Sequence, residues 1–282
     1  MLIKEYVKEV ASVGYSWLLV LWIHLSVGCR FWWRHIRLRL QRLHLMESTQ
    51  RGMKQTLLFI RHGQTTWNVE HLLPGQIEGV ALNDTGRQQA ARLADALSPI
   101  PISAIITSPL ERARDTAEII AQGRNLTLEY DPDLMDTNIG RWTGKKYDEL
   151  SKNDPEWKAY VHDPLVAPEG VETFLQVQQR AMAAVECWRT REGIGAYPAF
   201  VTHADVVKLI IAHYTGLEAK RAGTMFIDNA SVSVVEIDTE NIHTARVIAV
   251  GWSPHPGWLK PPIEPQKEEA PTSEKAVGEQ KT

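Results

Sequence analysis

The sequence predicts an α/β protein: a three-layer α/β/α sandwich with a mostly parallel sheet and one antiparallel edge. Short apolar runs, which are typical of buried strands, recur along the chain, and helical patterns lie between the early runs. Because strands joined through helices pair in parallel, this alternation favours a sheet covered by helices on both faces. The last two runs have no helix between them, so at least one edge pairing should be antiparallel.

The individual elements follow from local patterns. Helix 84–97 opens at an Asp-Thr-Gly sequence and carries Ala90, Leu93 and Leu97 on one face, with the spacing of a helix that packs on a sheet. The next helix ends at Gly123. The predicted strands are 56–60, 104–107, 200–202, 232–237 and 245–250. The predicted helices are 84–97, 112–122, 173–189 and 204–214.

Three of the predicted strands run into side chains that suit phosphate chemistry. Arg61, His62 and Gly63 follow the first strand. Arg112 opens the helix after the second strand, and His203 follows the third. Open α/β folds bind ligands at the edge where parallel strands end, so we expect these side chains to lie together. Arginine offers phosphate a planar fork of donors, histidine can carry a phosphoryl group covalently, and glycine lets the backbone approach a ligand.

Each of these residues also has a simpler interpretation. Arg112 would be a surface residue paired with Glu111 or Asp115. Arg114, on another face of the helix, suits that pairing better. His203 would be a satisfied core histidine at a strand end. The three strand ends together make chance a poor explanation, so the sequence predicts a phosphate site.

Composition limits the classes of function. The chain has 282 residues, is 44% hydrophobic and 23% charged, and has a formal net charge of −3. These values suit one sizeable globular domain with appendages and give no argument for nucleic-acid binding. Two cysteines, Cys29 and Cys187, form no disulfide framework, so a reduced cytoplasmic setting is expected. No clustered His/Cys spacing predicts a metal site.

The N-terminal segment differs from the rest of the chain. Residues 13–29 are almost wholly apolar, and tryptophans and a series of arginines follow. A membrane-spanning helix needs about 20 apolar residues, so the run is a marginal anchor, although its flanking residues fit a membrane interface. One expectation is membrane association through residues 13–33, with the catalytic domain on the cytoplasmic side. The other is a gene start placed too far upstream, with Met46 or Met53 as the true start.

Three regions are therefore predicted. Residues 1–52 are the apolar, Arg-rich segment, and residues 53–262 are the catalytic domain. Residues 263–282 are rich in Pro, Glu, Lys and Thr and lack the apolar surface that a packed structure needs, so a disordered tail is expected.

The ordered set of motifs resembles the histidine phosphatase superfamily, also called the phosphoglycerate mutase-like family. The resemblance spans roughly residues 54–262 and is far more specific for the superfamily than for a substrate. It is carried by RHGQTTWN (61–68), LNDTGRQQA (82–90), SPLERARDTA (108–117), LMDTNIGRWTG (134–144), PEGVET (168–173) and VTHADVVK (201–208).

The resemblance implies a role for each strand-end residue. His62 becomes phosphorylated, while Arg61, Arg112 and His203 hold the phosphoryl oxygens, and no metal or other cofactor is needed. The region between Met135 and Gly170 becomes a helical cap beside the site. The implied substrate-binding residues are Arg61, His62, Gly63, Gln64, Thr65, Thr66, Trp67, Asn68 and Arg112.

The proton donor is where the sequence departs from the resembled family. Relatives usually place a glutamate four residues before the first glycine of a G-x-W-E-G run, and here that position is Asp136. Thr143 stands where relatives have the glutamate inside the run. Asp136 is the predicted acid and base, although it also fits an ordinary turn. Glu172 is the alternative carboxylate, but it matches a structural glutamate ahead of the long helix.

Cap aromatics leave two interpretations open. Trp157 is expected to pack the insertion, whereas Trp142 and Tyr160 fit either packing or substrate contact. Mutases of phosphoglycerate carry a longer segment where this chain has residues 136–140, so the sequence favours a metal-independent phosphatase of small phosphorylated metabolites. A phosphoglycerate mutase-type phosphomutase is the alternative enzyme. An inactive, membrane-tethered phosphate-binding protein is the alternative of another class.

Overall fold

A computed structural model describes residues 54–238 and 245–255 of the chain. All of them except Lys54, Ile237 and Asp238 belong to one compact unit. Its core is a six-stranded sheet with the strand order β3-β2-β4-β1-β5-β6. The strands are β1 Lys54–Arg61, β2 Ala104–Thr107, β3 Leu128–Tyr130, β4 Pro198–Thr202, β5 Val232–Asp238 and β6 Arg246–Trp252.

The pairing confirms the predicted α/β class. Strand β4 lies between β1 and β2 and is parallel to both, and β3 is parallel to β2. Strands β5 and β6, which have no helix between them, pair antiparallel at the other edge. The mostly parallel sheet with one antiparallel edge is therefore the one that the alternation of elements predicted.

Helices cover both faces of the sheet. Leu58 and Ile60 of β1 pack in one cluster with Leu93 and Ala117. Phe59 points to the opposite face, because successive side chains of a strand alternate; its ring lies 6.3 Å from that of Tyr214. The helices are α1 Thr66–Val69, α2 Asp84–Ala96, α3 Glu111–Ala121, α4 Tyr147–Asn153, α5 Pro155–His162, α6 Phe174–Arg189 and α7 Ala204–Thr215.

The cap is a small helical layer with its own core. Its buried cluster contains Trp142 together with Trp157 and Tyr160 of α5. The rings of Trp142 and Trp157 lie 5.0 Å apart, and the Tyr160 hydroxyl donates to the Glu172 carbonyl at 3.0 Å. The packing prediction for Trp157 is confirmed. Trp142 and Tyr160 also pack the insertion.

The sequence patterns did not predict the shortest strand or the bounds of the two cap helices. Strand β3 has only three residues, Leu-Glu-Tyr, and only its first side chain is shielded from solvent, so no alternating pattern marks it. Its pairing with β2 creates the strand. The cap helices have seven and eight residues, too few for a clear helical period.

The predicted terminal regions lie outside the described residues. This applies to segment 1–52, to its apolar run 13–33 and to tail 263–282, so these boundaries stay predictions. Within the described part of the chain, no helix combines the length and apolar character that a bilayer crossing requires.

Candidate active site

The predicted strand-end residues meet at the carboxyl edge of the sheet. His62 follows β1 and is 3% exposed, and His203 follows β4 and is fully buried. Their rings lie 5.2 Å apart. Arg112, in the first turn of α3 after β2, is also fully buried. The parallel order β2-β4-β1 is what brings these three ends together.

The orientation of His62 defines its free nitrogen. The Nδ1 atom lies 2.7 Å from the Gly63 carbonyl oxygen. A carbonyl oxygen only accepts, so Nδ1 carries the proton and Nε2 carries the lone pair. The Gly63 N–H donates to the Thr116 hydroxyl at 3.0 Å, and that hydroxyl donates to the Arg112 carbonyl at 2.8 Å. The Thr116 hydroxyl thus links the backbone of Gly63 to the backbone of Arg112.

Two arginines bring buried donors to the site. Arg61 donates from Nη1 to the Ile227 carbonyl at 2.7 Å. Arg112 donates from Nη2 to the Gly75 carbonyl at 2.7 Å and to Asp136 Oδ2 at 3.2 Å. Within the described residues, Arg61 Nε and Arg112 Nε and Nη1 are buried without a protein acceptor. Such groups are costly to bury unless a ligand accepts from them, and an anion is the acceptor that arginine binds best.

The simpler interpretation of Arg112 is wrong. Its side chain is buried and pairs with Asp136. Arg114 takes the surface pairings instead, with Asp115 at 3.4 Å and Glu118 at 3.7 Å. The burial of one arginine and the exposure of its neighbour follow from their positions on α3.

One ring nitrogen of His203 has a hydrogen-bond partner among the described residues, and the other has none. Its Nε2 lies 2.9 Å from the Ser108 hydroxyl. Its Nδ1 is buried without a hydrogen-bond partner among the described residues and lies 3.6 Å from Asp136 Oδ2. Burial, with a further contribution from Arg112, lowers the pKa of both His62 and His203 well below the ordinary value. Burial therefore favours the neutral form of both rings.

Asp136 lies within this group. Its Oδ2 is the atom that contacts Arg112, and its Oδ1 accepts from the Thr137 N–H at 3.0 Å. Burial raises the pKa of the Asp136 carboxyl, although Arg112 acts in the opposite direction. Glu172 lies elsewhere: it pairs with Arg180 at 2.8 Å and accepts from the Asn138 N–H at 2.7 Å. The structure therefore places Asp136, and not Glu172, beside the arginine and the histidine.

Residues 64–68 form the loop after Gly63. Gln64 accepts from the Asn83 amide, and the Gln64 N–H donates to Gln89. Thr65 and Asn68 cap the short helix α1 with reciprocal hydrogen bonds. These contacts hold the loop in place. Substrate contacts by Gln64, Thr65, Thr66, Trp67 and Asn68 stay predictions.

Several contributors to the site were missed by sequence reasoning. Ser108, which contacts His203, begins the SPLERARDTA motif and had a signal there. No sequence motif marked the carbonyl of Gly75 or the side chain of Arg180. Gly75 contacts Arg112, and Arg180 contacts Asp136, each across a large separation in sequence. Among the described residues, no group of three or more His, Cys, Asp or Glu side chains is arranged to hold a metal ion.

The fold and site define an enzyme of phosphoryl transfer, of the phosphatase or phosphomutase class. Residues 57–249 match the profile of the histidine phosphatase superfamily (branch 1). The chain belongs to this superfamily. The resemblance seen in the motifs is confirmed over the greater part of the chain.

Relatives with different activities share this similarity. The chain is 28% identical over 193 residues to a 2,3-bisphosphoglycerate-dependent phosphoglycerate mutase from Thermoplasma acidophilum, a match covering 68% of this chain and 92% of the mutase. Among solved structures, Bacillus stearothermophilus YhfR is 34% identical with a TM-score of 0.65, covering 70% of this chain and 96% of YhfR. A mycobacterial glucosyl-3-phosphoglycerate phosphatase in complex with VO3 is 26% identical with a TM-score of 0.59, covering 64% and 92%.

Proposed function

We propose that the protein is a metal-independent phosphomonoester hydrolase that acts on a small phosphorylated metabolite through a phosphohistidine intermediate. One observation carries the proposal. Among the described residues, buried arginine donors without a protein acceptor lie near His62, whose Nδ1–H donates to the Gly63 carbonyl, whose Nε2 carries the lone pair and whose pKa burial lowers. Such a group of residues binds a phosphoryl dianion and attacks it. The mycobacterial relative was solved in complex with the oxyanion VO3, which supports the binding of an oxyanion by this protein.

In the first half-reaction His62 Nε2 attacks phosphorus, and the bond between phosphorus and the leaving oxygen breaks. Arg61, Arg112 and the Nδ1 side of His203 bind the phosphoryl oxygens and offset their charge. The His62 ring becomes positive when its Nε2 is phosphorylated. Its Nδ1–H keeps the contact with the Gly63 carbonyl, which stabilises that charge.

Asp136 supplies the proton in this scheme. The leaving alkoxide takes a proton from the Asp136 carboxyl, whose raised pKa favours the protonated form. In the second half-reaction Asp136, now ionised, takes a proton from the water that attacks the phosphohistidine. The cycle returns His62 to its neutral state and releases inorganic phosphate.

Phosphomutase activity is the second candidate function. It is favoured by the mutase from T. acidophilum, to which the chain is 28% identical. The short segment 136–140 and the cap closed by its own aromatic residues favour hydrolysis. The acceptor of the phosphoryl group distinguishes the two: water gives inorganic phosphate, whereas a second substrate hydroxyl gives an isomeric ester.

The first experiment measures phosphate release by the full chain from sugar phosphates, phosphoglycerates and nucleotides. We expect release from at least one of them and its loss in His62→Ala. His213→Ala, which removes an exposed histidine on α7, is the matched control and should keep the parent rate. An acid-labile phosphate trapped on His62 after a quench supports the covalent step. Full activity in His62→Ala refutes it, and isomerisation without phosphate release supports the mutase.

The second experiment tests the acid. Asp136→Asn should slow alkyl phosphates by about 10²–10⁴-fold, the usual value of general acid catalysis. Activated aryl phosphates leave unprotonated and should be affected far less. Asp133→Asn, which changes an exposed carboxyl nearby, is the control. Equal slowing of both substrates by Asp136→Asn would remove the acid role from this residue.

We also infer that the catalytic domain faces the cytoplasm, either free or tethered through residues 13–33. The arginines after the apolar run support the orientation. If the tether exists, the full chain pellets with membranes and a chain beginning at Met53 does not. If translation starts later, the N-terminal peptide of the native protein maps to Met46 or Met53.

A further inference from the structure

Arg180 hydrogen-bonds both to the segment that carries Asp136 and to Glu172. It lies on α6 with its side chain 16% exposed. Nη1 donates to the carbonyls of Asp133 and Met135, both at 2.7 Å. Nη2 donates to the Asp136 carbonyl at 2.9 Å. Nε and Nη2 also donate to Glu172, at 2.8 and 2.9 Å. All five N–H donors of the arginine thus have acceptors.

Glu172 extends this contact to the other side of Asp136. Its Oε2 also accepts from the Asn138 N–H at 2.7 Å. The backbone is therefore held before, at and after the carboxyl-bearing residue. The Gln76 amide adds a second donor to the Asp136 carbonyl at 2.8 Å. Among the described residues, the Asp136 side chain hydrogen-bonds to the Arg112 guanidinium and the Thr137 N–H, and its Oδ2 also lies 3.6 Å from His203 Nδ1.

A short side chain makes backbone position decisive. Aspartate has one methylene fewer than glutamate, so its carboxyl has less freedom to adjust to a leaving oxygen. An error of about 1 Å in the placement of a catalytic group costs on the order of 10²-fold in rate. The backbone around Asp136 must therefore be fixed to within a fraction of this distance.

We propose that Arg180, locked by Glu172, is a positioning residue for the proton donor: it fixes the backbone of residues 133–138 so that the Asp136 carboxyl meets the leaving oxygen. This inference rests on the acid role of Asp136 in the proposed function. Arg180 acts through backbone carbonyls and through Glu172. It also connects the acid to the cap, because the Glu172 carbonyl accepts from Tyr160.

The test is Arg180→Lys in the full chain, assayed with an alkyl phosphate and with p-nitrophenyl phosphate. Lysine keeps the charge, but a single ammonium cannot span the set of acceptors that the planar guanidinium contacts. We expect kcat for the alkyl phosphate to fall by about 10²-fold. The rate with p-nitrophenyl phosphate should stay near the parent value, since that leaving group needs no proton. A merely structural role would lower both rates together.

Arg124→Lys is the matched control. Arg124 likewise donates to three backbone carbonyls, those of Leu97, Ile100 and Ile120, on the other helical layer. Its replacement should change the two rates equally or not at all. If Arg124→Lys discriminates between the substrates as Arg180→Lys does, the inference is overturned.

Asp136→Asn, assayed with the same pair of substrates, distinguishes a failure of the positioning role of Arg180 from a failure of the acid role of Asp136. Discrimination by Asp136→Asn without discrimination by Arg180→Lys overturns the positioning role alone. Equal slowing of both substrates by Asp136→Asn overturns the acid assignment and the inference with it. If Arg180→Lys does not fold, Glu172→Gln replaces it: this variant removes one acceptor oxygen and should give a smaller discrimination of the same direction, whereas equal rates for both substrates overturn the inference.

Discussion

Gly86 is the position at which a single added methyl group should move the loop of residues 64–68 that follows Gly63. It is buried in the first turn of α2, against the backbone of Gln64. A Cβ at Gly86 would lie 2.0 Å from the Gln64 carbonyl oxygen and 2.7 Å from its nitrogen. Both are backbone atoms, so no side-chain rotation relieves the contact.

The magnitude follows from these distances. Carbon and carbonyl oxygen approach to about 3.3 Å at closest, so the loop or the helix must move by more than 1 Å. Overpacking of this kind costs about 1–3 kcal/mol, against which the better helix preference of alanine returns at most about 1 kcal/mol. A net loss of about 1–2 kcal/mol lowers Tm by about 2–8 °C in a domain of this size. Displacement of the loop beside His62 should also lower kcat by about 10²-fold.

The assay compares Gly86→Ala with Gly223→Ala by thermal denaturation and by phosphate release. A Cβ at Gly223 meets nothing within 4 Å, so this variant should match the parent in both measurements. Parent-like Tm and kcat in Gly86→Ala would refute the close packing of loop and helix. Equal losses in the two variants would show a general sensitivity to glycine replacement.

Three further predictions concern the charges and protons of the site. Turnover should survive EDTA, because Arg61 and Arg112 carry the charge that a metal would otherwise supply. Loss of activity that added magnesium restores would contradict this. The lowered pKa values of His62 and His203 mean that below pH 6.5, the ordinary histidine pKa, the unfolded chain binds more protons than the folded one, so the free energy of unfolding should fall as pH decreases. Urea denaturation at several pH values measures this free energy. If the variant with both His62→Gln and His203→Gln kept the parent's pH dependence of unfolding, the prediction would be refuted. Ser108→Ala should lower kcat/KM about two- to tenfold by removing the hydroxyl on His203 Nε2, whereas Ser233→Ala, which removes a buried hydroxyl from β5, should not.

Much of the candidate site could be predicted from the sequence, because its residues lie next to the ends of predicted strands and the start of a predicted helix. His62 and His203 directly follow strands β1 and β4, and Arg112 lies in the first turn of the helix after β2. Parallel strands end at one edge, so three local patterns were enough to bring these residues together. The position of Asp136 came from the resemblance of its motif, and the structure places its carboxyl against Arg112.

The tertiary structure alone decided which atoms of these residues are free to act. Arg112 meets the carbonyl of Gly75, and Arg180 meets that of Asp136, across separations of 37 and 44 residues that carry no sequence period. The Gly63 carbonyl leaves His62 with its lone pair on Nε2, although the sequence shows only that a histidine and a glycine are neighbours. Aromatic residues of the cap turned out to fill its core because only packing determines which apolar side chains find partners. Local patterns determined where the chemistry lies, and long-range contacts determined its geometry, since hydrogen bonds between distant segments depend on the folded backbone.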